Sequence, residues 1–247
     1  MYTNFTRHHS GKRKHSIDRI TIHCFVGQVT AKQGVDYFAT TTRLCSSNYV
    51  VGYDGSIGMS VAEENRSWCS SSASNDNRAI TIEVASESKE PYAVTDKAYK
   101  ALLDLCYDIC KRRGKDTVLW FGDKKKSLNY TPKSNEIVLT VHRWFEDKSC
   151  PGTYLYSKHS EIAKTLTERL HGTVIEQPID TQTFLVRVKI ADLYIRKGAG
   201  TSFPTAGFIP KGVYTIVEKR KGSDGYTWGK LKSGIGWIAL DYVEVLS

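Results

Sequence analysis

The sequence predicts an α/β unit, a mixed central β-sheet flanked by helices, followed by a small all-β barrel. Three observations predict it. Through residue 172, short runs rich in β-branched and aromatic residues alternate with helical patterns, the interleaving expected of a layered α/β structure. The last clear helical stripe, over residues 157–170, places Ile162, Leu166 and Leu170 on one face and ends at Gly172, a capping signal. From Phe184 onward the runs LVRV, LYIR, VYTIV, WGKL, GWIAL and YVEV are separated by glycine and charged turns, with no helical period.

Each element has its own warrant. Strands are expected at residues 17–25, 48–53, 57–61, 79–85 and 118–121. The clearest helix is 96–113, where Tyr99, Leu102, Leu103, Cys106, Ile109 and Cys110 form an apolar stripe, Thr95 caps the start and Gly114 ends it. A second helix is expected over 32–45. Residues 173–183, TVIEQPIDTQT, lack any period and carry Pro178, so they read as a linker between a first domain, 1–172, and a second, 184–247.

Composition limits the function. The chain of 247 residues is 40% hydrophobic and 25% charged, which excludes a disordered or fibrous class. Its net charge of +9, shared by both domains, favours an anionic partner: nucleic acid, a membrane surface or an acidic cell-wall polymer. No apolar run reaches the length of about 18 residues needed to span a membrane. The segment Met1 to Lys14 is basic with no apolar stretch behind it, unlike a secretory signal peptide, so the expectation is a protein made in the cytoplasm. Six cysteines in this length are too few for a disulfide framework, and reduced thiols are expected.

Chemistry concentrates in HRWFEDKSCPG, residues 142–152, which brings an imidazole, a lysine and a thiol close together before a Pro-Gly turn. A second imidazole, His23, lies in ITIHC. Strand alternation puts it on one face with Thr21, while Ile20, Ile22 and Cys24 take the other. Two His and one Cys thiolate form a donor set suited to Zn²⁺, with a fourth position left for water. Spacing alone does not join them. Cys106 and Cys110 fall on the helical stripe and read as core; Cys24, Cys45 and Cys69 read as structural, with Cys24 next to the site. Glu83 ends an apolar strand, where a carboxylate is costly unless paired or working.

The segments ITIHC, SSNYVVGYDGSIG, NRSWCSSSASNDNRAITIEVAS and HRWFEDKSCPG together resemble the zinc-dependent N-acetylmuramoyl-L-alanine amidases related to peptidoglycan recognition proteins. The resemblance covers residues 1–172. It implies cleavage of the amide between the lactyl group of N-acetylmuramic acid and the first L-alanine of the stem peptide. Carried over by position, His23, His142 and Cys150 become metal ligands, and Lys148 and Tyr49 become catalytic residues. Glu83 is implied as the base and Tyr49 as the residue that positions water or carbonyl, with Tyr49 the alternative base and Lys148 the oxyanion stabiliser. Trp68 reads either as a groove wall for sugar or peptide, or as packing.

The tail, with LYIRKGAGTSFPTAGFIPKGVYTIVEK and WGKLKSGIGWIALDY, resembles bacterial SH3-like domains. This implies binding to bacterial peptidoglycan or other cell-wall polymers, with Tyr194 and Trp228 as candidate contacts. The expected protein is a phage or prophage endolysin that acts on the wall after release, with no nucleic-acid partner. A non-catalytic muropeptide-binding protein is the alternative; it fits the retained ligand set less well.

Overall fold

The computed structural model describes residues 1–171, 183–201, 203–222 and 225–246. The chain divides into two units, Met1–Thr173 and Val174–Ser247. All of the expected linker except Thr183 lies outside the described residues.

The first unit contains strands β1 (Tyr2–Thr3), β2 (His9–Lys12), β3 (Arg19–Val26), β4 (Tyr49–Val51), β5 (Ile57–Met59), β6 (Asn65–Ser67), β7 (Ala79–Ser86), β8 (Thr117–Leu119) and β9 (Glu136–Thr140). Its helices are α1 (Ala31–Thr40), α2 (Ala73–Asp76), α3 (Asp96–Arg112), α4 (Lys124–Asn129) and α5 (Gly152–Leu170). Seven strands form the mixed sheet in the order β1-β5-β4-β7-β3-β9-β8, and β2 pairs separately with β6. The centre of the sheet is parallel: β3 lies between β7 and β9. Only the β4–β5 hairpin runs antiparallel.

Both faces of this sheet are covered. On one, Ile20, Ile22, Ile80, Ile82, Tyr49 and Val51 pack against Leu102, Cys106 and Ile109 of α3 and Leu155, Ile162 and Leu166 of α5. On the other, Val50 meets Val35 and Phe38 of α1. Helix α1 approaches closely, because a Cβ on Gly34 would stand 2.7 Å from Val50 Cγ1. The expected helix ends are refined. Thr95 does cap α3, accepting from the Ala98 amide. Helix α1 opens on a Thr30/Gln33 capping box and stops at Thr40, well short of Cys45. There the Thr40 hydroxyl donates to the Asp36 carbonyl and three consecutive threonines weaken the helix.

Among the described residues the second unit forms a single seven-stranded antiparallel sheet, in the order β12-β11-β15-β14-β13-β10-β16, consistent with an SH3-like domain. The strands are β10 (Phe184–Val188), β11 (Tyr194–Arg196), β12 (Thr205–Phe208), β13 (Gly212–Lys221), β14 (Thr227–Leu231), β15 (Trp237–Ala239) and β16 (Glu244–Leu246). Its core holds Val186, Ile195, Ile209, Ile216, Trp228 and Ile238. Trp228, expected as an exposed contact, is only 2% exposed and is a core residue, because its position in β14 faces inward; Tyr194 is 43% exposed. Among the described residues no helix is long and apolar enough to cross a membrane.

Candidate functional site

The site forms over the C-terminal halves of β3 and β7 and just beyond the end of β9. In the β3–β7 ladder His23 stands level with Glu83, so both side chains project from the same face. Strand β9 runs beside β3, with Thr140 level with Thr21, and the chain then turns through a short 3₁₀ segment that starts at His142. Trp144 in that turn is buried and stacks on Trp120 at 5.1 Å, which fixes the turn against the sheet. The Arg143 amide donates to the Cys150 carbonyl at 3.1 Å, which folds residues 143–150 into a loop and returns Cys150 to the neighbourhood of His142.

The three expected ligands therefore meet. His23, His142 and Cys150 offer ligand atoms within 4.8 Å of one another. Cys150 Sγ lies 3.4 Å from His23 Nδ1, and the two imidazole centres are 5.1 Å apart. His142 Nε2 is 3.2 Å from the Ser71 hydroxyl. Glu83 adjoins this group, with Oε1 4.0 Å from His23 Nδ1. Its Oε2 and the His23 Nε2 are both buried without a hydrogen-bond partner.

The electrostatics suit metal binding and proton transfer. Burial depresses the His23 pKa well below its usual value, with further lowering by His142 and His159. Burial also lowers that of His142; Glu146 opposes the shift and Lys148 adds to it. Both rings are thus neutral at pH 7, the state that can ligate. The Cys150 thiol is held protonated, first by its hydrogen bond with Cys24 and then by burial and Glu83. A bound cation would have to displace that proton. Burial raises Glu83 to about 7, with the Cys69 hydrogen bond opposing, which places it where a general base works best.

Lys148 is exposed on the loop two residues before Cys150. Trp68 is half-buried, its ring stacked on His8 at 5.9 Å and its Nε1 donating to Ser10 Oγ at 2.6 Å.

Tyr49 is not brought to the cluster. In the β4–β7 ladder Val50 stands level with Glu83 and Tyr49 with Ile82, so the tyrosine takes the opposite face of the sheet. There it is 2% exposed and its hydroxyl donates to Glu63 Oε1 at 2.6 Å. Glu63 is itself paired with Arg112, and with Arg113. Burial first, then the Glu63 hydrogen bond, push the phenol pKa far up.

Two participants were not singled out from sequence. Cys69, read as structural, donates toward Glu83 Oε1 at 3.7 Å and forms a second possible donor group with His23 and Glu83. Ser71, beside His142, adopts φ +58°. Their loop is fixed by Asp76, whose carboxylate accepts from the Cys69 and Ser70 amides and the Ser70 hydroxyl. Asn75 links it to the sheet through Thr21. The signal was the SNDN run before β7, whose short polar side chains favour such loop bonds.

A family model described as N-acetylmuramoyl-L-alanine amidase matches residues 13–153, a span that contains His23, Glu83, His142 and Cys150. The chain belongs to that amidase family. No curated protein matches its sequence. Solved structures similar to this amidase-family chain include PlyL, 16% identical, with 69% of this chain and 96% of that one covered and a TM-score of 0.44. The N-acetylmuramoyl-L-alanine amidase LysC from Clostridium intestinale is 14% identical, with 65% and 94% covered and a TM-score of 0.45. The Staphylococcus aureus hydrolase AmiA, solved with its ligand, is 14% identical, with 70% and 86% covered and a TM-score of 0.49.

Proposed function

We propose that this chain is a wall-targeted peptidoglycan hydrolase of the endolysin kind. It cleaves the amide between the lactyl group of N-acetylmuramic acid and L-alanine, with zinc held by His23, His142 and Cys150. The observation that carries the reading is the convergence of two neutral imidazoles and a thiol with a carboxylate beside them. The donors fit the ion: tetrahedral bonds of about 2.0–2.1 Å to nitrogen and 2.3 Å to sulfur require an N···S separation of about 3.6 Å, against the 3.4 Å observed between His23 Nδ1 and Cys150 Sγ. Bound there, zinc would supply a Lewis acid and lower the pKa of its water to about 7.

The chain's own groups do the rest. Glu83, a carboxylate 4.0 Å from His23 Nδ1, takes the proton of the attacking water and returns it to the departing nitrogen. Lys148, on the flexible-length arm of an exposed loop beside His142, offers its ammonium to the developing oxyanion. Tyr49, facing Glu63 behind the sheet, serves packing. The basic, all-β second unit supports wall targeting, which raises the enzyme's effective concentration at its polymer.

The test is digestion of purified Gram-positive peptidoglycan with and without a zinc chelator. New L-alanine amino termini that depend on metal are expected; new reducing sugar ends, or no cleavage by the zinc-loaded protein, would overturn the reading. Glu83→Gln is expected to keep zinc and lose turnover by about 100-fold or more.

A further inference from the structure

The second unit carries a cavity of about 240 Å³. Its walls include Tyr194, Tyr226 and Tyr242, and its polar lining includes Asp192 and Arg196. Tyr194 and Tyr242 are 43% and 51% exposed, so aromatic surface faces solvent at the cavity mouth. The Tyr242 and Tyr226 hydroxyls are bonded to each other at 3.3 Å, and the Tyr194 ring is backed by Phe208 at 4.4 Å, so the rings are held in place before any ligand arrives.

The two charged groups differ in what they have left to offer. Arg196 is engaged: its Nη1 donates to the Phe203 carbonyl at 2.9 Å and its guanidinium lies 5.4 Å from the Tyr194 ring centre. Asp192 is exposed and has no hydrogen-bond or ion-pair partner among the described residues. A free carboxylate beside three tyrosine rings is a cation's environment: the carboxylate supplies counter-charge and the ring faces supply cation–π attraction, over distances up to about 6 Å. Volume limits the ligand further. The cavity is smaller than the roughly 300–1,000 Å³ typical of pockets for whole small molecules, which suits one side chain rather than a disaccharide.

We propose that this cavity binds a primary ammonium group carried by a peptide of peptidoglycan, an amino group left free of cross-links, with Asp192 as counter-charge and Tyr194, Tyr226 and Tyr242 as walls. The proposal rests on the reading of the chain as a peptidoglycan hydrolase and adds what its second unit recognises. An anionic wall polymer is the less suited occupant, because the Arg196 guanidinium is held against the Phe203 carbonyl and the Tyr194 ring, whereas the Asp192 carboxylate has no partner among the described residues.

The full chain, held with a zinc chelator so that nothing is cut, is titrated with purified peptidoglycan stripped of attached polymers, either native or with its amines acetylated. Wild type is expected to bind the acetylated material about tenfold more weakly, and Asp192→Asn to bind both forms alike at that weaker level. Equal binding of both forms by wild type, undiminished discrimination by Asp192→Asn, or no wall binding at all would overturn the proposal. Tyr194→Ala is the second variant. If it lowers affinity while acetylation has no effect, the cavity takes a neutral sugar or peptide instead. Zinc-loaded wild type assayed on a soluble muropeptide separates the two readings: lost hydrolysis there refutes the enzyme, whereas retained hydrolysis with indifferent wall binding refutes only the ammonium site.

Discussion

Tyr49→Phe removes a single hydroxyl, and the structure assigns the loss to stability and not to turnover. The hydroxyl donates to Glu63 Oε1 at 2.6 Å in a site where Tyr49 is 2% exposed. A hydrogen bond to a charged group is worth about 1.5–3 kcal/mol net. Glu63 keeps Arg112 at 2.9 Å and Arg113, so the carboxylate is not stranded and the lower end applies. The expected loss is about 1.5 kcal/mol, or a fall of roughly 3–5 °C in the unfolding midpoint of a unit this size. Turnover is expected to stay within about twofold, since the ring lies behind the sheet from His23 and Glu83 and each tenfold loss of rate needs 1.36 kcal/mol of transition-state stabilisation. The assay pairs thermal unfolding with the release of amino termini from soluble muropeptide. A rate loss of about 100-fold with an unchanged midpoint would refute the argument and return Tyr49 to the chemistry.

The remaining predictions concern the cluster itself. In metal-free protein the Glu83 pKa is raised from 4.5 to about 7, so its contribution to stability is fully present below about pH 4.5 and is lost as the pH rises through 7. Relative to Glu83→Gln, which does not titrate, wild type should lose about 3 kcal/mol between pH 4 and pH 8, read by denaturant unfolding with chelator present; a flat difference would mean that the carboxyl is well solvated. His23, depressed in the opposite sense, loses stability toward acid in both proteins and cancels from the comparison. Cys150→Ser is expected to weaken zinc binding by more than about 100-fold while leaving α5 helical; metal titration and circular dichroism check it, and an unchanged zinc affinity would remove Cys150 from the ligand set.

How far the sequence could be read depended on whether an element shows one face or two. Helix α3 buries one side, so its stripe, its Thr95 cap and its cysteines were all legible, and Cys106 and Cys110 are fully buried as expected. His23 was legible because an imidazole stands out in an apolar strand. Tyr49 was not, because β4 is three residues long and buried on both faces, and a strand without polar alternation carries no signal of which way a side chain points. The same double burial hid β9: Glu136–Thr140 is buried throughout, a short apolar run without period, although it is the strand that carries His142 into the site.

Chemistry arises here from register more than from any local motif. His23 and Glu83 are 60 residues apart in sequence, yet two parallel strands in step place them side by side on one face. The same step sets Tyr49 one position out of phase with Glu83, and one position in a strand is the whole thickness of the sheet. A resemblance read position by position thus points to side chains in distinctive segments, His142 and Cys150 above all, which the fold does bring together with His23. It does not locate a residue whose role depends on which face it takes. The cluster of His23, Glu83, His142 and Cys150 is consequently a property of the parallel centre of the sheet and the loop that follows β9. A change that shifted β7 by one residue against β3 would move Glu83 to the α3 face and dismantle the cluster while leaving all four of its residues in the sequence.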